Sequence, residues 1–180
     1  MPPNVKVVDE SEVDAELDER IRALLQHCFP DWHDIFEDRR VWHQTQPICA
    51  IVVRDGDAVI GHAAIVVRTI TTTWNFRYNV ASIQGVCVQP DYRHAGLGLQ
   101  LVQTALEEAK KRKFPFAILF CKESLVPYYT AQGWKLADEC MVMWNKRDLP
   151  ISMRSNCPMY CELSELSFPE GPLDVHSPSW

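Results

Sequence analysis

The stretch V-C-V-Q-P-D-Y-R-H-A-G-L-G at 86–98 constrains the fold more than any other part of the chain. An apolar, strand-like run ends there, and glycines at 96 and 98 lead directly into a helix whose apolar residues recur at helical spacing from Leu97 to Ala109. The continuously apolar run 116–121 then predicts a strand buried on both faces. A strand, a helix and a buried strand in succession predict a β-α-β unit.

The residues before this stretch predict antiparallel pairing. The runs 48–53 and 58–70 flank Asp55-Gly56, which is a strong hairpin signal between two β-branched segments. Ser11 and Asp14 resemble a capping box that opens a first helix. The other expected elements are that helix at roughly 12–28 and strands at about 78–88, 134–145 and 159–163, with a short helix at about 124–132.

These elements define the expected fold class as α/β: a mixed, mostly antiparallel central sheet flanked by helices, in a single domain that spans residues 1–180. Hydrophobic residues make up 47% of the 180 residues and charged residues 23%, which is typical of a soluble globular protein. No uncharged apolar run reaches the roughly 18 residues that a membrane span needs, and the N-terminal residues do not resemble a secretion signal. The seven cysteines are therefore expected to be reduced thiols in the cytoplasm.

The negative charge is concentrated near the N-terminus. Residues 1–40 hold 11 acidic and 5 basic residues, so they carry the whole net charge of -6. An acidic segment repels nucleic acid and attracts cations, so we expect neither a nucleic-acid nor a membrane partner. A solvated helix face explains the same charge without any ligand.

The glycines of the 86–98 stretch favour an anion ligand. Gly96 and Gly98 let a ligand approach the backbone closely, and the N–H groups and dipole at a helix start favour a phosphate. Arg93 adds a positive charge. A Walker A lysine is missing and so is a G-x-G-x-x-G fingerprint, which excludes these two phosphate loops. Two glycines alone also fit a plain tight turn.

Two motifs together resemble a known superfamily. Arg93-x-x-Gly96-x-Gly98 after the strand end resembles the acetyl-CoA signature of the Gcn5-related N-acetyltransferase (GNAT) superfamily. P-Y-Y-T-A-Q-G-W at 127–134 resembles the aromatic second segment of that superfamily. The resemblance covers roughly residues 48–145. It implies an acetyl-CoA-dependent N-acetyltransferase that transfers the acetyl group by direct attack in a ternary complex.

The resemblance also implies roles for individual residues. The CoA pyrophosphate would bind the loop backbone, and the pantetheine arm would pair with the strand end, where a backbone N–H would polarise the thioester carbonyl. Tyr129 would donate a proton to the departing CoA thiolate, although packing on the sheet is the alternative for any tyrosine. No metal is expected, because Cys157-x-x-x-Cys161 lacks the usual zinc spacing. The expected CoA-binding residues are Val86, Cys87, Val88, Arg93, His94, Ala95, Gly96, Leu97 and Gly98.

A weaker resemblance concerns the acceptor. C-F-P-D-W-H-D at 28–34, the segment 61–65 and a chain ending in Trp180 resemble the aminoglycoside 2'-N-acetyltransferases of antibiotic resistance, with the nodulation N-acyltransferases as related cousins. This implies that desolvated carboxylates of Asp31, Asp34 and the Trp180 C-terminus bind a polycationic sugar over Trp32. The C-terminal extension 148–180 would complete that acceptor site.

One residue departs from the aminoglycoside pattern. Gln84 stands where those enzymes carry an acid on the strand before the loop, and an amide orients an amine or a water but cannot take a proton. Polyamine, amino-acid and peptide amines therefore stay open as acceptors, and so does a non-catalytic CoA-binding module. The superfamily resemblance also allows a homodimer.

Overall fold

The computed structural model describes residues 4–42, 45–137, 142–143, 156–171 and 173–174. The helices are α1 (Ala15–Cys28), α2 (Leu97–Lys111) and α3 (Val126–Thr130). The strands are β1 (Asn4–Asp9), β2 (Cys49–Asp55), β3 (Ala58–Thr72), β4 (Arg77–Val88), β5 (Phe116–Cys121), β6 (Lys135–Leu136), β7 (Val142–Met143), β8 (Cys157–Glu162) and β9 (Leu173–Asp174). The fold is a mixed, mostly antiparallel α/β sheet with helices, which confirms the predicted class.

The chain divides into two compact units. The first comprises residues 1–66 and 83–108, and its strands follow the order β1-β2-β3-β4. β1 pairs antiparallel with β2, and β2 with β3. The hairpin turn between β2 and β3 has Gly56 at φ 56°, as the Asp-Gly signal predicts.

Helices pack on both faces of the sheet in this first unit. α1 buries Leu17, Ile21 and Leu25 against Ala50 and Val52 of β2. Adjacent residues of a strand point to opposite faces, and β3 uses this alternation. The Leu101 side chain of α2 lies against Gly61, whereas the next residue, His62, packs on the α1 side. A glycine at 61 thus lets α2 approach β3 closely.

The second unit comprises residues 67–82 and 109–180. β4 pairs parallel with β5 at Ala81 and Ala117, β5 pairs antiparallel with β8, and β8 pairs antiparallel with β6. β9 pairs with both β3 and β7. A separate apolar cluster around Phe116 and Phe168 forms its core, and all but one residue of β5 is buried, as its continuous apolar sequence predicts.

Some element bounds differ from the sequence prediction. α1 begins at Ala15 because Asp14 caps it, accepting the Leu17 N–H at 2.8 Å, and the Ser11 capping box is wrong. The strands β1 and β9 were not predicted, because edge pairing depends on partners distant in sequence. The strand expected at 134–145 is observed as the separate two-residue strands β6 and β7, and residues 138–141 between them lie outside the described part. Over the described ranges, no helix is long and apolar enough to cross a membrane.

Candidate active site

The loop between β4 and α2 has the geometry of an anion-binding loop. β4 ends at Val88, one turn of 3-10 helix covers Pro90–Tyr92, and α2 begins at Leu97. His94 and Gly96 both adopt left-handed backbone, with φ of 66° and 78°. Such alternation turns successive N–H groups toward one side, and the first N–H groups of α2 have no partner within the helix. The exposed loop can therefore hold a phosphate against a positive helix end.

Three hydrogen bonds fix this loop to the strands of the first unit. The Gln89 N–H donates to the Ile60 carbonyl at 2.8 Å, and the Tyr92 hydroxyl donates to the Asp55 carboxylate at 2.7 Å. Arg93 Nε donates to the Val88 carbonyl at 3.0 Å, so its cation lies at the end of β4. The loop is thus anchored to β2, β3 and β4 by its own residues.

The strand segment 84–88 carries a conformational break. Gly85 has φ 61°, a left-handed conformation that glycine adopts without strain. His62 Nδ1 lies 3.0 Å from the Gly85 carbonyl oxygen. Burial lowers the pKa of His62 to about 4, so the ring is neutral at pH 7 and Nδ1 is the nitrogen that donates. His62 is a core residue, and it also holds the backbone of this segment.

The structure places two predicted acceptor residues on either side of Trp42. Gln84 is only 6% exposed, and its side-chain oxygen accepts the Trp42 N–H at 3.3 Å. The Trp42 ring makes edge contacts with Trp32, at 5.6 Å between ring centroids, and with Phe29 and Phe36. The rings of Phe29, Trp32, Phe36 and Trp42 form a cluster in the first unit, which we call the aromatic wall. Gln84 is bonded to this wall through the Trp42 backbone N–H.

The predicted carboxylates are exposed, which corrects the expectation that they are desolvated. Asp31 and Asp34 lie on the 3-10 segment Pro30–Glu37, and the Asp34 side chain is fully solvated. They can attract a cation only through screened, long-range electrostatics. Trp180, the third predicted acidic group, lies outside the described residues.

Tyr129 lies in the second unit, on α3. Its side chain is 6% exposed and makes edge contacts with Trp134 and with Tyr128, which is 40% exposed. Burial, assisted by Cys121, raises the pKa of Tyr129 above its usual range. Gly133 at φ 86° closes this segment, and the Trp134 N–H donates to the Tyr129 carbonyl at 3.2 Å. Tyr129 is therefore a neutral phenol at pH 7, and a weaker acid than an exposed tyrosine.

Sequence reasoning missed two features of the first unit. One is the contact of His62 with Gly85, although a glycine inside a strand pattern signals a break in pairing. The other is Cys28, whose sulfur donates to the Val88 carbonyl at 3.7 Å and whose pKa is lowered to about 7. No local pattern could have found it, because its partners lie 60 residues away in sequence.

The mixed sheet, with β4 leading through the exposed loop into α2, fits the fold of acyl-CoA-dependent acyltransferases. Residues 7–137 match the family model described as the acetyltransferase (GNAT) domain. The chain belongs to this family and is an acyltransferase, as predicted from the two motifs.

Solved structures agree on the fold. The GNAT family N-acetyltransferase YhbS from Escherichia coli, in complex with CoA, has a TM-score of 0.67 and 20% identity, over 97% of this chain and 89% of its own. Escherichia coli ElaA has a TM-score of 0.65 and 14% identity, over 89% and 99%. An acyl-CoA N-acyltransferase from Pseudomonas aeruginosa has a TM-score of 0.63 and 14% identity, over 88% and 98%. Comparison with curated protein sequences finds no matching relative.

Proposed function

We propose that this chain transfers an acetyl group from acetyl-CoA to a primary amine of a small cationic substrate, and that the 2'-amine of an aminoglycoside is the acceptor to test first. Binding of acetyl-CoA, the donor, is supported by the exposed loop before α2, in which His94 and Gly96 are left-handed. The acceptor half is supported by the acidic surface segment Pro30–Glu37 beside the aromatic wall.

Backbone groups supply most of the donor site in this proposal. The loop backbone from Arg93 to Gly98 holds the pyrophosphate through its available N–H groups, and the backbone of Val86, Cys87 and Val88 pairs with the pantetheine arm as an added strand. A backbone N–H of the same strand end polarises the thioester carbonyl and stabilises the oxyanion. Side-chain identity matters little for such contacts, whereas backbone conformation matters greatly.

The transfer itself has two stages. The nitrogen lone pair attacks the thioester carbonyl carbon, a C–N bond forms, and the carbonyl electron pair moves to oxygen. The oxyanion then reforms the carbonyl as the C–S bond breaks, and CoA leaves as a thiolate. The nitrogen loses a proton to water, and the thiolate takes a proton from the Tyr129 phenol, which recovers one from solvent.

Gln84 has an orienting role in this mechanism. Its amide oxygen is engaged by the Trp42 N–H, and an amide cannot accept a proton from an ammonium group. The acceptor therefore has to reach the site as a neutral amine, through deprotonation by water. The exposed carboxylates of Asp31 and Asp34 would attract the remaining ammonium groups of a polycation. The six cysteines of the described residues are thiols rather than disulfides, which supports a reducing compartment such as the cytoplasm.

Release of the CoA thiol from acetyl-CoA, measured against a panel of amines, tests the proposal. The panel pairs aminoglycosides that carry a 2'-amine with matched ones that carry a 2'-hydroxyl, beside polyamines, amino acids and peptides. Turnover that requires the 2'-amine supports an aminoglycoside as the acceptor. Turnover with only another class of amine would identify that class as the acceptor instead. Tight CoA binding without turnover on any amine favours the non-catalytic module.

Charge variants test the acceptor surface separately. Asp31→Asn with Asp34→Asn should raise KM for a cationic acceptor and leave KM for acetyl-CoA unchanged, because the acidic segment acts only on the acceptor. Glu19→Gln removes one exposed charge from α1 and serves as the control. An equal effect per charge removed in the two variants would mean that only net charge matters.

A further inference from the structure

Two cysteines and an arginine meet where α1 ends beside the end of β4. Cys28 is the last residue of α1, and Cys87 is the penultimate residue of β4. Cys28 packs against the apolar cluster that contains Cys87. The Val88 carbonyl accepts from both Cys28 Sγ, at 3.7 Å, and Arg93 Nε, at 3.0 Å. We call Cys28 and Cys87 the thiol pair. They lie where β4 leads into the loop.

The two thiols differ in acidity because of this contact. The hydrogen bond from Cys87 and the charge of Arg93 outweigh desolvation and lower the pKa of Cys28 to about 7. The same hydrogen bond, together with burial, raises the pKa of Cys87 well above its usual range. The lowered pKa gives Cys28 a larger thiolate fraction at pH 7 than an ordinary thiol of pKa near 8.5, which is only about 3% thiolate. Cys28 is also half-buried and Cys87 fully buried, so the more acidic thiol is the more accessible one.

We propose that the thiol pair is a peroxide-sensitive modification site, in which Cys28 is oxidised first and Cys87 resolves it to a Cys28–Cys87 disulfide that weakens CoA binding. An accessible thiolate next to a resolving thiol is the arrangement that favours reversible oxidation. Because Cys28 packs against the cluster that contains Cys87, the second step is intramolecular.

The reaction balances with hydrogen peroxide as the two-electron oxidant. The Cys28 thiolate attacks one peroxide oxygen, the O–O bond breaks, and sulfenic acid and hydroxide form. The Cys87 sulfur then attacks the sulfenic sulfur, an S–S bond forms, and the hydroxyl leaves as water with the Cys87 proton. A thiol reductant reverses the disulfide.

Three of the other described cysteines are less reactive. Burial raises the pKa of Cys121 to about 11 and that of Cys161 to about 12, so neither forms a thiolate near neutral pH. Cys49 is completely buried on β2. Cys121 and Cys157 are Cα partners across β5 and β8 and form the competing pair. The thiol pair should therefore react first.

The effect on CoA rests on the proposed function, whereas disulfide formation does not. A disulfide brings the two sulfurs to about 2.05 Å, well inside hydrogen-bond distance, and ties the end of α1 to β4. The change falls on the backbone proposed to pair with pantetheine and on the Val88 carbonyl that anchors Arg93. Oxidation should therefore lower CoA affinity.

Peptide mapping of the full chain after oxidation tests the site. Reduced protein is treated with a small molar excess of hydrogen peroxide, quenched with catalase, alkylated and digested with trypsin. Cleavage after arginines 22, 39, 77 and 93 places Cys28 and Cys87 alone in peptides 23–39 and 78–93, so a linkage between these peptides identifies the disulfide. CoA affinity is measured on the same samples before oxidation, after it, and after re-reduction.

We expect the 23–39 to 78–93 linkage, with a severalfold weaker CoA affinity that a thiol reductant restores. Cys28→Ser should prevent both effects, Cys87→Ala should leave Cys28 as a sulfenic acid that dimedone traps, and the control Cys49→Ala should behave like the wild type. Far-UV circular dichroism checks that each variant folds. A linkage of Cys121 with Cys157 instead, or dimedone trapping at Cys28 of the wild type without a disulfide, would overturn the proposal.

The CoA measurement separates the two proposals. Reduced protein that does not bind CoA contradicts the proposed function. Peptide mapping still tests formation of the Cys28–Cys87 disulfide in that case, because it does not depend on CoA binding. Oxidised protein that carries the disulfide and binds CoA as tightly as the reduced form overturns the regulatory half of the inference.

Discussion

Replacing Gly85 with alanine tests whether the break in β4 is held by His62. An L residue in the left-handed conformation of Gly85, φ 61°, costs about 1–2 kcal/mol. The new Cβ would also lie 3.2 Å from His62 Cε1 and Nδ1 and 3.3 Å from Leu25 Cδ2, which is tighter than ordinary packing. His62 and Leu25 are both fully buried, so neither side chain can move aside freely. Displacing His62 also weakens its hydrogen bond to Gly85, which is worth about 1 kcal/mol.

The free energy of unfolding should therefore fall by about 2–3 kcal/mol in Gly85→Ala, measured by urea denaturation. Gly56→Ala is a matched control, because its φ is 56° and no described atom lies within 4 Å of a Cβ there. That control carries only the conformational cost of about 1–2 kcal/mol. Equal losses in the two variants would refute the argument that His62 constrains Gly85.

Four further predictions concern the site. Tyr129→Phe should lower kcat by about 10²-fold with little change in CoA affinity, whereas the exposed Tyr128→Phe should keep its activity; equal activity of both would remove Tyr129 from the mechanism. Gly96→Val should abolish CoA binding in calorimetry, because φ is 78° and a branched side chain would fill the open side of the loop. Unfolded His62 takes up a proton below about pH 6.5, but the folded ring stays neutral to about pH 4. As the pH falls from about 6.5 to about 4, the free energy of unfolding of the wild type should therefore drop by about 3 kcal/mol relative to that of His62→Gln. Urea denaturation at each pH measures this difference. The alkylation rate of Cys28 by iodoacetamide should rise with pH to a midpoint near 7, and a midpoint near 9 would contradict its lowered pKa.

The loop proposed as the donor site was recognisable from sequence because it is built from consecutive residues. The loop lies between β4 and α2, and its two left-handed residues, His94 and Gly96, fall within three consecutive positions, one of them a glycine that signals the conformation. His94 at φ 66° was not predicted as left-handed, because histidine adopts this conformation only when its surroundings impose it. Phosphate recognition by backbone needs few particular side chains, and the motif is correspondingly short.

The aromatic wall and its contact with Gln84 were only partly predictable, because they depend on residues distant in sequence. Trp32 and Gln84 were both predicted as acceptor residues, yet Trp42, which contacts both of them, was not among the predicted site residues. The prediction that Asp31 and Asp34 are desolvated was wrong. The 3-10 segment Pro30–Glu37 buries Phe36 and leaves both carboxylates exposed to solvent. Burial of a side chain on so short a segment is decided by tertiary packing, which no local pattern reports.

The contacts around residues 84–88 explain how a strand end becomes a preorganised site. His62 holds the Gly85 carbonyl, Arg93 and Cys28 hold the Val88 carbonyl, and Trp42 holds the Gln84 side chain. Each of these partners comes from another segment of the first unit, so the segment is fixed from several directions without a ligand. A backbone N–H stabilises a developing oxyanion best when it needs no reorganisation at the moment of reaction. Loosening any one of these contacts should therefore reduce the rate of transfer more than it reduces CoA affinity, because the oxyanion exists only in the transition state.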